Sequence, residues 1–161
     1  MRGLTVRQPY AQAIACGRKR IETRGQRTRY RGRLAIHAAL GHALPLALAD
    51  LDGVLAEYPA AGLDIEAIEA SLEPPESWSF GKIIAVAELV DCRPAEDLTP
   101  DPVERAFGDY AVRRFGRQFA HVVRLPVPVP ARGLQGLWPV RPETMDLLEQ
   151  ALSTLRRHDS R

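Results

Sequence analysis

Lysine is almost absent from this chain: against twenty arginines there are two lysines, Lys19 and Lys82. Cysteine is equally rare. Cys16 and Cys92 stand alone, with no second cysteine or histidine at metal-ligand spacing, so no metal is expected, and both read as small, partly buried apolar residues. A catalytic thiol would need a base that the sequence does not visibly supply. Long apolar runs are missing too. A stretch such as residues 83–87 falls far short of the roughly 20 residues that span a bilayer. The opening Met1-Arg2-Gly3-Leu4-Thr5-Val6 has no apolar signal core. The expectation is a cytoplasmic protein with no membrane partner. There is no glycine loop of the GxGxxG or GxxxxGK kind to cradle a cofactor's phosphates, and no cofactor is expected. Internal repeats and low-complexity segments are absent as well.

What is present suits an ordinary globular chain. Its 161 residues, 45% hydrophobic and 26% charged, fit one domain, or one domain with an attached helical piece. The net charge of +2 conceals a strong segregation. Residues 1–39 carry ten basic groups and one acid; residues 40–110 carry three basic and fifteen acidic groups; residues 111–161 carry nine basic and four acidic groups. One positive face on a nearly neutral molecule favours a phosphate-bearing partner.

In chain order, Leu4-Thr5-Val6-Arg7 alternates as a short strand, and Pro9 opens a helix over residues 10–16 that Gly17 closes as a left-handed cap. Residues 20–24 read as extended, 25–31 as a basic loop, and 33–38 as a strand with Leu34, Ile36 and Ala38 on one side and His37 on the other. Two acidic amphipathic helices, over 42–58 and 63–72, suggest a helical insertion at 43–73. Residues 82–90 form a buried strand, 101–108 a short helix with an acidic start, and 118–128 a strand that runs into an edge-like Pro126, Pro128, Pro130 segment. Residues 133–138 read as a compact turn. A C-terminal helix at 142–157 carries the stripe Met145, Leu148, Leu152, Leu155, and its basic tail reads as frayed. The fold class predicted is α+β, a small mixed β-barrel with flanking and inserted helices.

The chemistry concentrates in Gly17-Arg18-Lys19-Arg20-Ile21-Glu22-Thr23-Arg24. From Arg18 to Arg33 there are eight basic side chains and one carboxylate, Glu22. Lys19, kept as lysine between two arginines, offers a compact donor where this chain prefers a planar one. Strict alternation separates Lys19 from Glu22, so they need a bulge or turn to share a pocket. Gly17 frees the backbone at the helix exit, and the expectation is that Lys19, Glu22 and Arg24 converge on one pocket beside the residue 8–17 helix.

This block, with Leu4-Thr5-Val6-Arg7-Gln8-Pro9-Tyr10-Ala11, Tyr30-Arg31-Gly32-Arg33-Leu34-Ala35-Ile36-His37-Ala38, residues 81–92 and Gly133-Leu134-Gln135-Gly136-Leu137-Trp138, resembles the ASCH domain family. Its G-x-K-x-x-E-x-R signature is matched by Gly17, Lys19, Glu22 and Arg24. The resemblance spans roughly residues 3–140. It implies a PUA-like β-barrel with a cleft beside the first helix, and an association with RNA or single-stranded nucleic acid. Small bacterial relatives include an amidohydrolase of acetylated cytidine that uses a lysine, a threonine and a carboxylate. Lys19 matches that lysine, and Glu22 stands at the threonine's position. For the carboxylate, Glu104 and Asp109 are candidates from chain position. Ribonuclease activity is also ascribed to members of the family.

Three readings remain open. The first is a module binding RNA, single-stranded DNA, or a nucleoside or modified base. In it Arg24, Arg27, Arg29, Arg31 and Arg33 hold phosphates, Tyr10 or Tyr30 stacks on a base, and Gln8 adds a polar contact. Lys19 and Glu22 read the base edge as donor and acceptor. The second is a metal-independent hydrolase of acylated cytidine or RNA, with Lys19 and Glu22 as the catalytic pair. The third is a salt-bridge network that locks the barrel mouth.

Overall fold

The computed structural model describes residues 1–41, 44–56 and 62–158, the last three of these by main chain alone. The expected ends of the first acidic helix, at 42–43 and 57–58, and the end of the tail, at 159–161, lie outside the described residues.

Strand β1 (Arg2–Val6) leads through Pro9 into helix α1 (Tyr10–Ala15), then strands β2 (Ile21–Arg24) and β3 (Gly32–Ala38). Helices α2 (Leu44–Leu55) and α3 (Ile65–Ser71) follow. Strand β4 (Lys82–Pro94), helix α4 (Pro102–Ala106), strand β5 (Phe115–Pro130), strand β6 (Leu137–Pro139) and helix α5 (Pro142–His158) complete the order. The strands form one curled, half-barrel sheet in the order β2-β5-β4-β3-β1-β6. Pairing is antiparallel except for β1 on β3. The result is an α+β, PUA-like architecture.

Two strands run longer than their sequence signal. β4 continues past Val90 to Pro94, and β5 begins at Phe115, because their distant segments pair with each other from Asp91↔Gln118 to Pro94↔Phe115. The proline-rich half of β5 lies beyond the stretch paired to β2, which ends at Gln118. There a missing N–H disturbs no second ladder. The compact turn expected at 133–138 instead ends in β6, which pairs with Arg2–Leu4 of β1.

Both faces of the sheet are covered. Leu34, Ile36 and Ala38 point into a core shared with Leu4, Val6, Ile14, Leu89 and Phe119, which α1 closes. Ala35 faces the other way, toward Ile83, Leu125, Trp138 and the Leu148–Leu152 stripe of α5. Full burial of each such aliphatic side chain stabilises by about 1.5–3 kcal/mol. Helices α2 and α3 bury Leu51, Val54, Leu55, Ile68 and Leu72 against Ala13 of α1 and Phe107 after α4. Their acidic residues Asp52, Glu66 and Glu69 stay exposed.

Candidate functional site

The site is assembled at the exit of α1. Gln8 caps that helix: its Oε1 accepts from Gln12 N at 2.8 Å, and its Nε2 donates to Ser79 O at 3.0 Å. Gly17, at φ 74°, turns the chain, and the amides of Arg18 and Lys19 both return to Ala13 O. Only a residue that tolerates the left-handed region makes this turn without strain. It drives the Lys19 side chain inward, where it is 1% exposed.

Lys19 Nζ donates to Ile21 O at 2.5 Å and Phe107 O at 2.6 Å, and lies 3.4 Å from Glu22 Oε2. Three acceptors around three N–H bonds match the charged ammonium. Glu22 Oε1 lies 2.9 Å from Arg24 Nε, and Arg24 Nη2 donates to Thr5 O at 2.7 Å. That last bond ties β2 to β1, two strands far apart in the sheet order, across the open side of the half-barrel.

Helix α4 supplies the remaining supports. Asp101 caps its start by accepting from Glu104 N at 2.8 Å. Glu104, buried, accepts from Arg20 N at 2.6 Å and Ile21 N at 2.9 Å, pinning the segment between Gly17 and β2. Burial pushes its carboxyl above the usual range, against the pull of those N–H groups and of Lys19. Phe107 then presents the carbonyl that Lys19 binds.

A cleft of about 550 Å³ opens beside these groups, lined by Thr5, Arg7, Tyr10, Glu22, Arg24 and Asp109, among others. Thr23 and Arg114 also border it. Asp109 N donates to Thr23 Oγ1 at 3.1 Å, while Arg114 pairs with Asp109 Oδ2 at 3.2 Å and donates to Thr23 O.

The structure thus brings Glu22, Arg24 and Tyr10 to one cleft and sets Lys19 behind Glu22, outside its lining. Gln8 is fully buried at the start of α1. Tyr30 is half-buried against the core, its hydroxyl donating to Arg33 O at 2.5 Å. Arg31 pairs with Asp91 at 3.0 Å and Arg33 with Glu149 at 2.6 Å, so both already have carboxylates. Arg27 and Arg29 are exposed and form no ion pair among the described residues. Of the two carboxylates suggested from chain position, Asp109 lines the cleft, and Glu104 faces main-chain amides instead. No described residue of α2 or α3 lines it.

Arg7 and Arg114 are cleft residues that the sequence pattern does not single out. Arg7 stands at the end of the β1 pattern, where alternation alone assigns no role, and Arg114 falls in a stretch without clear periodicity. Among the described residues no three His, Cys, Asp or Glu side chains are grouped to hold a metal, and no helix is long and apolar enough to cross a membrane.

A family model described as the ASCH domain matches residues 4–119. Among solved structures, an ASCH protein from Zymomonas mobilis superposes with a TM-score of 0.52 at 12% identity, covering 92% of this chain and 93% of that one. A serine-to-alanine mutant of the same protein superposes with a TM-score of 0.51 at 13% identity, over 92% and 94% of the two chains. Curated proteins yielded no significant match. ASCH domains share a PUA-like fold and are generally linked to nucleic acid and RNA. With the family model covering most of its length and the signature residues Lys19, Glu22 and Arg24 joined in one network, the chain belongs to the ASCH domain family.

Proposed function

We propose that this chain is a nucleic-acid-binding ASCH domain that takes single-stranded RNA or DNA, with a base or modified base entering the cleft at Glu22 and Arg24. The observation that supports it most is the mixed lining of that cleft. A carboxylate held in place by two cations, Lys19 and Arg24, stands beside the arginines Arg7 and Arg114 and the ring of Tyr10. Glu22 offers an acceptor to an exocyclic amino group, Arg24 a donor to a carbonyl, and Tyr10 a stacking face. Arg27 and Arg29, exposed and free of carboxylates among the described residues, are suited to the phosphates that follow.

The hydrolase alternative assigns proton transfer to Lys19. That role has less support, because the amine is spent on two carbonyls and a carboxylate behind the cleft wall. A single experiment tests the proposal. Fluorescently labelled single-stranded RNA, single-stranded DNA and duplexes are titrated in low salt with chelator present, and product formation is followed in parallel with acylated cytidines and RNA. The reading expects binding of single strands that weakens with salt and drops in Glu22→Gln, without turnover. Absence of binding to every strand at low salt, or turnover that Lys19→Ala and Glu22→Ala both abolish, would overturn it.

A further inference from the structure

One buried cation stands outside the Lys19–Glu22–Arg24 network. Arg117 of β5 is 4% exposed, and its Nε and Nη1 have no hydrogen-bond partner. Its Nη2 makes only a long, 3.4 Å bond to the carbonyl of Gln26. No carboxylate lies within ion-pair distance among the described residues: Lys19 and Arg24 share Glu22, and Arg114 takes Asp109. A guanidinium cannot shed its charge at accessible pH, and a buried unpaired charge is costly. Burial and the neighbouring Arg24 both hold its pKa below the ordinary arginine value. A purely structural arginine would be expected to have an acceptor built for it.

Strand register shows which way this group faces. Arg117 pairs with Glu22 across β2–β5, and Arg24 pairs with Phe115. Side chains at paired positions, and two residues on from them, share a sheet face. Glu22, Arg24 and Arg117 therefore point to one side, and Glu22 and Arg24 line the cleft. Residues 25–31, an irregular loop, pass over Arg117 through Gln26. Arg117 itself lies outside the cleft's lining, beneath the Glu22–Arg24 wall. We propose that its unpaired guanidinium forms an oxyanion site there, which takes the phosphate of the nucleotide whose base the cleft holds. The proposal rests on the nucleic-acid reading for the identity of that phosphate. The fork of guanidinium N–H donors matches two phosphate oxygens, and the Gln26 carbonyl, held only by a long bond, is the group displaced.

Arg117→Met and Arg117→Lys test it, with inorganic phosphate as the first probe and a single-stranded RNA as the second. Thermal unfolding is followed with and without phosphate, and strand affinity is measured for a phosphodiester strand and for an uncharged methylphosphonate strand. In Arg117→Met the ligand-free protein should melt higher, since an uncompensated charge has been replaced by an apolar chain of similar length. The same variant should lose the phosphate-induced rise seen in the wild type and bind the phosphodiester strand about tenfold more weakly, the worth of one charge-assisted hydrogen bond. The methylphosphonate strand should bind both proteins alike. Arg117→Lys, which keeps charge without the fork, should fall between them.

An equal phosphate response in wild type and Arg117→Met, with unchanged strand affinity, would overturn the oxyanion site while leaving the nucleic-acid reading in place. So would a lower melting temperature in Arg117→Met with phosphate binding intact, the mark of a structural arginine. Arg117-dependent stabilisation by phosphate in a protein that binds no strand would support the site and overturn the nucleic-acid reading instead.

Discussion

Lys19→Met separates support from direct contact more cleanly than any other substitution in the cleft network. Methionine nearly matches the length of the lysine chain, so the packing of the four-carbon stem is kept while the ammonium is removed. The variant lacks a charged donor to Ile21 O and Phe107 O, and one of the two cations on Glu22. A hydrogen bond to a charged group contributes about 1.5–3 kcal/mol, and breaking a buried pair by removing one member costs about 3–5 kcal/mol. Arg24 still faces Glu22 at 2.9 Å, which places the expected loss toward the low end, near 3 kcal/mol. Against a total stability of roughly 5–15 kcal/mol, that is a large share. With a urea dependence of about 1–3 kcal/mol per molar, the unfolding midpoint should fall by roughly 1–3 M. Tryptophan fluorescence reports it through the buried Trp78 and Trp138. Lys82→Met, at the exposed first position of β4, is the control and should barely move the midpoint. In a double-mutant cycle, Glu22→Gln should cost less in the Lys19→Met background than alone, because the two groups interact. A Lys19→Met protein as stable as the Lys82→Met control, yet unable to bind nucleic acid, would refute this reasoning and make Lys19 a ligand contact.

Groups around the cleft and beyond it make further outcomes testable. Arg27→Ala with Arg29→Ala should weaken strand binding and shallow its salt dependence by about 0.7 log units per log unit of salt for each phosphate no longer neutralised, measured by anisotropy across a salt series. Arg31→Ala should do less, because Arg31 is already paired to Asp91. Glu73 hydrogen-bonds Arg124, which holds its carboxyl below the usual range. Its stabilising contribution is therefore present above the ordinary carboxylate value and lost as pH falls through the lowered folded one. Glu73→Gln should lower the melting temperature near neutral pH and converge with the wild type in strong acid. His37 is held below its ordinary value by burial, so protonation favours the unfolded chain: stability should decline as pH drops below about 6.5, and the decline should flatten in His37→Asn. A Cβ at Gly133 would sit 2.4 Å from His37 Cε1 and 2.6 Å from Thr5 Oγ1. Gly133→Ala should therefore cost about 1–3 kcal/mol in urea unfolding.

Much of this protein is legible from local pattern. The alternation of residues 33–38 marks β3 and assigns Leu34 and His37 to opposite faces, and the Met145, Leu148, Leu152, Leu155 stripe marks α5. Pro9 and Gly17 bound α1 because each imposes its own backbone geometry wherever it stands. The G-x-K-x-x-E-x-R blocks carry the family, since their order along the chain is itself the signal. The three residues of β6, by contrast, are too short for any alternation to show, and their partner β1 lies at the other end of the chain.

Long-range side-chain partnership is decided by tertiary structure. Arg31 and Arg33 look as free as Arg27 and Arg29 in sequence, yet their carboxylates lie 60 and 116 residues away. Gln8 reads as a polar contact beside a cleft, but the turn into α1 rotates it inward to cap Gln12. Lys19 stands out in sequence as a rare lysine. One of the two carbonyls that hold it belongs to Phe107, 88 residues on, and that bond sets it behind Glu22. Arg117 gives no local signal at all: a lone arginine in a strand reads as surface until pairing with β2 and β4 buries it between them. Backbone preference acts over a few residues and can be read from them. Charge pairing and burial depend on which distant segments the sheet brings into register, and that is settled only when it closes.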